Sequence, residues 1–183
     1  MQPAPFLREL GIRAGWHVAD FGCGPGYYLV PAARFVGPAG RVVGIDIRTE
    51  AVDEARRRVE RERLADRTDV FRADLARAGA SGLPDGWTDL VLLVSVLSQN
   101  DPLPLLKEAA RVVRPADGRV VIVEWEEVAT PLGPPAEQRV RKTVVLAGAK
   151  NAGLTFLRHL TPSPFQYGMI FVKAHDAVAR EAS

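Results

Sequence analysis

The stretch Val18-Ala19-Asp20-Phe21-Gly22-Cys23-Gly24-Pro25-Gly26 constrains this chain more than any other. An apolar, β-favouring run reaches an acidic residue and breaks into alternating glycines. Leu29 to Val36 then follows with helical spacing. The order predicts a strand, a tight turn and a helix start. Glycines in such a turn permit positive φ and let a ligand approach the backbone. The helix beyond it offers free N–H groups and the positive end of its dipole. Such a site suits a nucleotide-like or carboxylate-bearing ligand.

The rest of the chain keeps the same rhythm. Apolar runs predict strands at 16–21, 41–46, 68–72, 87–96 and 119–124. Helical spacing predicts helices at 6–10, 27–36, 50–64 with Thr49 as cap, 102–113 and 136–151. Two final strands, 154–160 and 166–173, flank Thr161-Pro162-Ser163-Pro164. Alternating strands and helices make a parallel sheet with helices on both faces. The last two strands lie too close together for a helical crossover, so they should pair antiparallel. The expected fold is therefore α/β: a Rossmann-like, seven-stranded sheet, mostly parallel with an antiparallel last strand. One domain is expected over 1–183, with a short N-terminal segment 1–15, a core 16–175 and a tail 176–183. Ligand should sit at the carboxyl ends of the strands, beside the glycine turn.

The dinucleotide fingerprint G-x-G-x-x-G would put Tyr27 or Leu29 at its last position. Both are too large for the close helix–strand packing that glycine allows there. The turn reads instead Asp20-x-Gly22-x-Gly24-x-Gly26, and this resembles the first motif of class I S-adenosylmethionine-dependent methyltransferases. The resemblance extends along most of the chain. Asp46 ends the second strand, like the acidic residue of the family's second motif. Arg72-Ala73-Asp74-Leu75 follows the third strand. Thr88 to Ser95 resembles the fourth-strand motif, and Leu106 to Val123 resembles the family's helix, "L+PGG" turn and fifth strand. Here Ala116-Asp117-Gly118 departs slightly from that turn. The nearest branch by this resemblance is the UbiE-like, type 11 small-molecule group, with Trp125 and Gly133-Pro134-Pro135 carrying part of the likeness.

The resemblance implies roles. S-adenosyl-L-methionine would be the cofactor, and methyl transfer by in-line displacement the reaction. The turn residues Gly22, Cys23, Gly24 and Gly26 would face its methionine moiety, and Asp20 its α-amino group. Asp46 would hold the ribose, with Ile47 beside the adenine. Asp74 and Leu75 would cover the adenine, and Ser95 would lie near the sulfonium. Such a reaction needs alignment more than a fixed set of catalytic groups. The catalytic residue is left unknown; His159, Glu124 and Tyr167 are the candidates for a base. Two other readings stay open: an NAD(P)-dependent oxidoreductase on a Rossmann fold, and a catalytically silent cofactor-binding module.

Composition narrows the partners. The formal net charge is +2, with acidic residues mixed among the arginines. No basic stripe forms, so nucleic acid is not expected. Cys23 is the one cysteine, which excludes an intramolecular disulfide and suits the cytoplasm. It could be a nucleophile, or simply a small residue packed in the turn. The N-terminus lacks the pattern of a signal peptide, and the apolar runs are too short to span a bilayer. His17, His159 and His175 lack metal-ligand spacing, so no metal is expected. Asp89 begins a strand, which favours a turn or capping role. Arg56-Arg57-Arg58 lies among acidic neighbours and reads as a solvated face. Tyr27 and Tyr28, just past the glycines, could cover ligand or core. The acceptor is expected to be a small molecule, its side of the site built from the N-terminal segment, 98–104, 124–138 and the final hairpin. A homodimer is one way to complete it.

Overall fold

Seven strands form one sheet in the computed structural model, which describes residues 2–99, 101–128, 130 and 132–173. The strands are β1 (His17–Phe21), β2 (Arg41–Asp46), β3 (Thr68–Arg72), β4 (Leu90–Val94), β5 (Arg119–Trp125), β6 (Leu154–Ser163) and β7 (Gln166–Lys173). Their order is β3-β2-β1-β4-β5-β7-β6. The first five run parallel, while β7 pairs antiparallel with both β5 and β6. The chain winds outward one way from β1 to β3 and the other way from β4 to β5. The direction reverses between β1 and β4, and the crevice at their carboxyl ends is the natural ligand site.

Successive side chains on a strand face opposite ways, so each buried strand feeds two cores. Helices α1 (Pro3–Glu9), α2 (Leu29–Val36) and α3 (Thr49–Arg61) cover one face, where Leu7, Leu29 and Val52 meet Val18, Val42 and Leu92. Helices α4 (Pro102–Val112) and α5 (Lys142–Asn151) cover the other, where Leu106 and Val145 meet Phe21, Leu93 and Ile122. Leu92 and Leu93 are fully buried, and burial of each such side chain stabilises the fold by about 2 kcal/mol.

The connection from β3 to β4 carries no helix among the described residues. Its loop is pinned by Glu108 of α4, a buried carboxylate. Glu108 accepts hydrogen bonds from Gly79 N at 3.1 Å, Ser81 N at 3.1 Å, Ser81 Oγ at 2.5 Å and the Arg111 guanidinium at 2.7 Å. Burial alone would raise its pKa, but the bonds from Arg111 and Ser81 outweigh that and hold it down at about 2.

Several expectations need correction. Tyr27 and Tyr28 lie in the turn, and α2 begins only at Leu29. Thr49 is the first residue of α3 and does not cap it; the cap position is Arg48, with no side-chain cap bond. Asp101 does cap α4, accepting from Leu103 N at 3.0 Å. The fourth strand is shorter than predicted, because Trp87 stacks on His17 and Ser95 turns away with φ of 54°. The helix expected at 136–151 is interrupted: a 3-10 turn, Ala136–Gln138, precedes an extended Arg139. The buried Arg139 guanidinium donates to the carbonyls of Glu126, Val128, Leu132 and Pro134, which ties the loop after β5 into a knot. A helix through Arg139 would pull those donors away. Strand β6 runs on through Pro162, which an edge strand tolerates. Asp89 is structural, accepting from His17 N at 2.7 Å and pairing with Arg114. Ala116 has φ of 72°, a conformation that glycine favours. His175 and the tail 176–183 lie outside the described residues.

Candidate functional site

The glycine turn folds as it does because three chain segments converge on it. Gly22 N and Cys23 N both donate to Ile45 O of β2, at 2.8 and 3.0 Å. Gly22 has φ of 77°, and a Cβ there would lie 2.5 Å from Val96 Cγ2. Only glycine lets the turns after β1 and β4 come this close. Gly24 N donates to Asp46 Oδ2 at 2.9 Å, joining the turn to the end of β2.

A cavity of about 300 Å³ opens at this point, at the carboxyl ends of β1, β2 and β4 and beside the loop after β3. Asp20, Gly22, Cys23, Gly24, Asp46, Ile47, Asp74, Leu75 and Ser95 all line it. Gly26 does not. Its φ is 82° and a Cβ there would meet Ala55 at 3.2 Å, so it serves the approach of α3 to the turn. Tyr27 and Tyr28 also line the cavity. Tyr27 is exposed and carries the Arg58 guanidinium 4.5 Å from its ring centroid, which takes Arg58 out of a purely solvated role.

The electrostatics divide the acidic residues. Asp20 is buried, and its Oδ2 has no hydrogen-bond partner among the described residues. Its pKa is pushed up to about 7, first by burial and then by the charge of Asp46. Asp46 goes the other way. Burial would raise it, but bonds from the Arg48 side chain, Arg48 N and Gly24 N bring it below the ordinary value. Asp74 accepts from Ala76 N at 3.1 Å, which fixes the loop beside Leu75. Cys23 is buried in the turn, and burial, then Asp20 and Asp46, push its thiol up, away from the thiolate form that a nucleophile uses.

None of the three base candidates lines the cavity. His159 is exposed on the edge strand β6, its ring 4.7 Å from that of Phe156. Tyr167 is buried and its hydroxyl donates to Val140 O at 2.5 Å. Glu124 is fully buried, with Oε1 accepting from Leu97 N at 2.7 Å and Oε2 unpartnered. Burial lifts its pKa to about 7 against the opposing backbone bonds. Through Leu97 N it holds the turn after β4, whose residues Ser95, Val96 and Leu97 line the cavity. Sequence reasoning missed Arg48, Val96 and Leu105 as lining residues. Arg48 carried a signal, being two residues past Asp46; Val96 and Leu105 carried none beyond their apolarity. Among the described residues, no group of three His, Cys, Asp or Glu side chains is placed to hold a metal.

Comparison with known proteins decides the family. A family profile for a methyltransferase domain matches residues 18–116, more than half of the chain. The chain belongs to the class I S-adenosylmethionine-dependent methyltransferases, on their UbiE-like branch. It is 32% identical over 127 residues to the ubiquinone/menaquinone biosynthesis C-methyltransferase UbiE of Burkholderia cenocepacia, covering 69% of this chain and 50% of that protein. It is 38% identical over 125 residues to an uncharacterized 37.1 kDa protein in transposon TN4556 of Streptomyces fradiae, covering 67% of this chain and 34% of that one. These matches therefore span between a third and a half of the curated relatives' length. In structure it is similar to a SAM-dependent methyltransferase from Aquifex aeolicus, with a TM-score of 0.83, 27% identity and coverage of 92% of this chain and 88% of that one.

Proposed function

We propose that this methyltransferase-family chain binds S-adenosyl-L-methionine in the cavity and transfers its methyl group to a small-molecule acceptor in the cytoplasm. The observation that carries the reading is Asp20, a residue of the cavity wall whose buried Oδ2 has no partner among the described residues. Buried polar atoms in native proteins have partners, so an orphan on a residue that lines a cavity points to a ligand donor. An ammonium group fits it: a cation both satisfies the oxygen and favours the ionised carboxylate. On this reading Asp20 takes the amino group, Asp46 the ribose, Ile47, Asp74 and Leu75 the adenine, and Ser95 the region of the sulfonium.

The bound cofactor supplies an electrophilic methyl carbon. The chain's part is to hold the donor in one orientation and to exclude water with Tyr28, Val94 and Leu97. Alignment of this kind contributes several kcal/mol to lowering a bimolecular barrier. A second copy completing the acceptor side belongs to the same proposal.

Titration calorimetry with S-adenosylhomocysteine, S-adenosylmethionine and NAD tests the reading. Micromolar binding of the first two and none of NAD is the expected result; tight NAD binding alone overturns it. Transfer of labelled methyl to a panel of phenols, quinols, amines and thiols then identifies the acceptor atom. Binding with no transfer to any acceptor would favour a cofactor-holding module.

A further inference from the structure

The carboxylate of Asp46 is already fully engaged. A carboxylate has two oxygens and about four lone-pair positions. Oδ1 accepts from Arg48 N at 3.0 Å and from Arg48 Nε at 3.2 Å. Oδ2 accepts from Gly24 N at 2.9 Å and from Arg48 Nη2 at 3.5 Å. Two of these donors belong to the backbone and are fixed by the turns they stand in. The other two belong to a guanidinium whose side chain is 59% exposed and reaches back over the glycine turn. Arg48 itself lines the cavity.

A ligand bringing a vicinal diol to Asp46 offers two O–H donors and finds no free acceptor position. The backbone donors cannot leave without unfolding the turn. The guanidinium can, because it sits on a flexible stem and holds the longer, weaker pair of bonds. We propose that Arg48 sets the affinity and the ribose selectivity of this site by standing in for the ligand's two hydroxyls on Asp46. The proposal rests on the reading of the cavity as an adenosyl site. Each ribose-bearing ligand exchanges with Arg48, so the gain from its hydroxyls is discounted by the ion pair it displaces. A ligand without the hydroxyls leaves Arg48 in place and incurs no such loss. Arg48 thereby narrows the difference between the two.

The test compares the wild-type chain with Arg48→Ala by titration calorimetry, using S-adenosylhomocysteine and its 2′,3′-dideoxy analogue. Arg48 is exposed enough that its truncation leaves the core untouched. An ion pair of this exposure corresponds to a factor of up to about five in affinity. The variant is expected to bind S-adenosylhomocysteine about threefold to fivefold more tightly. The dideoxy analogue is expected to change by less than about twofold. Weaker binding of S-adenosylhomocysteine by the variant overturns the proposal, because Arg48 would then be a ligand contact. An equal gain for both ligands also overturns it, because a general field effect would account for that. If neither protein binds either ligand, the adenosyl reading of the cavity falls instead.

Discussion

Asp20→Asn separates the requirements of the fold from those of the ligand. The Asp20 carboxyl is completely buried and titrates at about 7 instead of the ordinary 3.8. Between those two values the unfolded chain has released this proton and the native chain keeps it. The native state then binds more protons, so its stability falls as pH rises through the window and levels off above pH 7. The slope is about 1.4 kcal/mol per pH unit, or roughly 4 kcal/mol across the window. Asparagine has nearly the same shape and no charge to bury. Asp20→Asn should match the wild type near pH 4 and exceed its stability by about 4 kcal/mol at pH 8. Urea unfolding at intervals from pH 4 to 8.5 measures this directly. Glu124 titrates in the same region, but it is present in both proteins and cancels in the difference. The ligand arm should run the other way. Wild-type affinity for S-adenosylhomocysteine should increase as pH rises to 7, while the variant binds weakly at every pH. A stability difference that stays constant with pH would refute the reasoning, since it would show that Asp20 is not a buried, proton-holding carboxyl.

The other predictions concern the walls of the cavity. Glu124→Gln keeps an oxygen for the Leu97 N–H and removes a carboxyl that titrates at about 7 in place of 4.5. A raised carboxyl gives its stability at low pH and loses it through 7, so this variant should be more stable than wild type by roughly 3 kcal/mol at pH 8 and by little at pH 4.5. Glu124→Ala should be less stable than Glu124→Gln at both pH values, because Leu97 N loses its acceptor; the order from denaturant melts is the check. Gly22→Ala combines a positive φ with a Cβ placed 2.5 Å from Val96 Cγ2. It should destabilise the chain by about 2–5 kcal/mol and abolish S-adenosylhomocysteine binding; a loss below about 1 kcal/mol would mean that the β1 and β4 turns are not tightly apposed.

Local pattern determined much of this protein. The alternating glycines, the acidic ends at Asp20 and Asp46, and Asp74 after the third strand were all readable in order, and all of them but Gly26 lie on the cavity wall. Strand and helix periodicity anticipated the sheet and its two helical faces, because burial against a sheet imposes periods of 2 and 3.6 whatever the partner. Tertiary structure decided what depends on distant partners. Gly26 was placed with the ligand-facing glycines, but its neighbour is Ala55 on α3. The helix through Arg139 was broken by carbonyls from Glu126 to Pro134, which no helical pattern reveals. His159, Tyr167 and Glu124 had suitable chemistry for a base, but none lines the cavity: His159 is exposed on β6, the Tyr167 hydroxyl is bonded to Val140 O, and Glu124 is buried against Leu97 N. Arg48 was legible as a residue near Asp46 but not as its partner. Spacing along the chain sets which groups are near the strand ends. Which of them a cavity exposes, and which are already satisfied, is set by the packing of segments far apart in sequence.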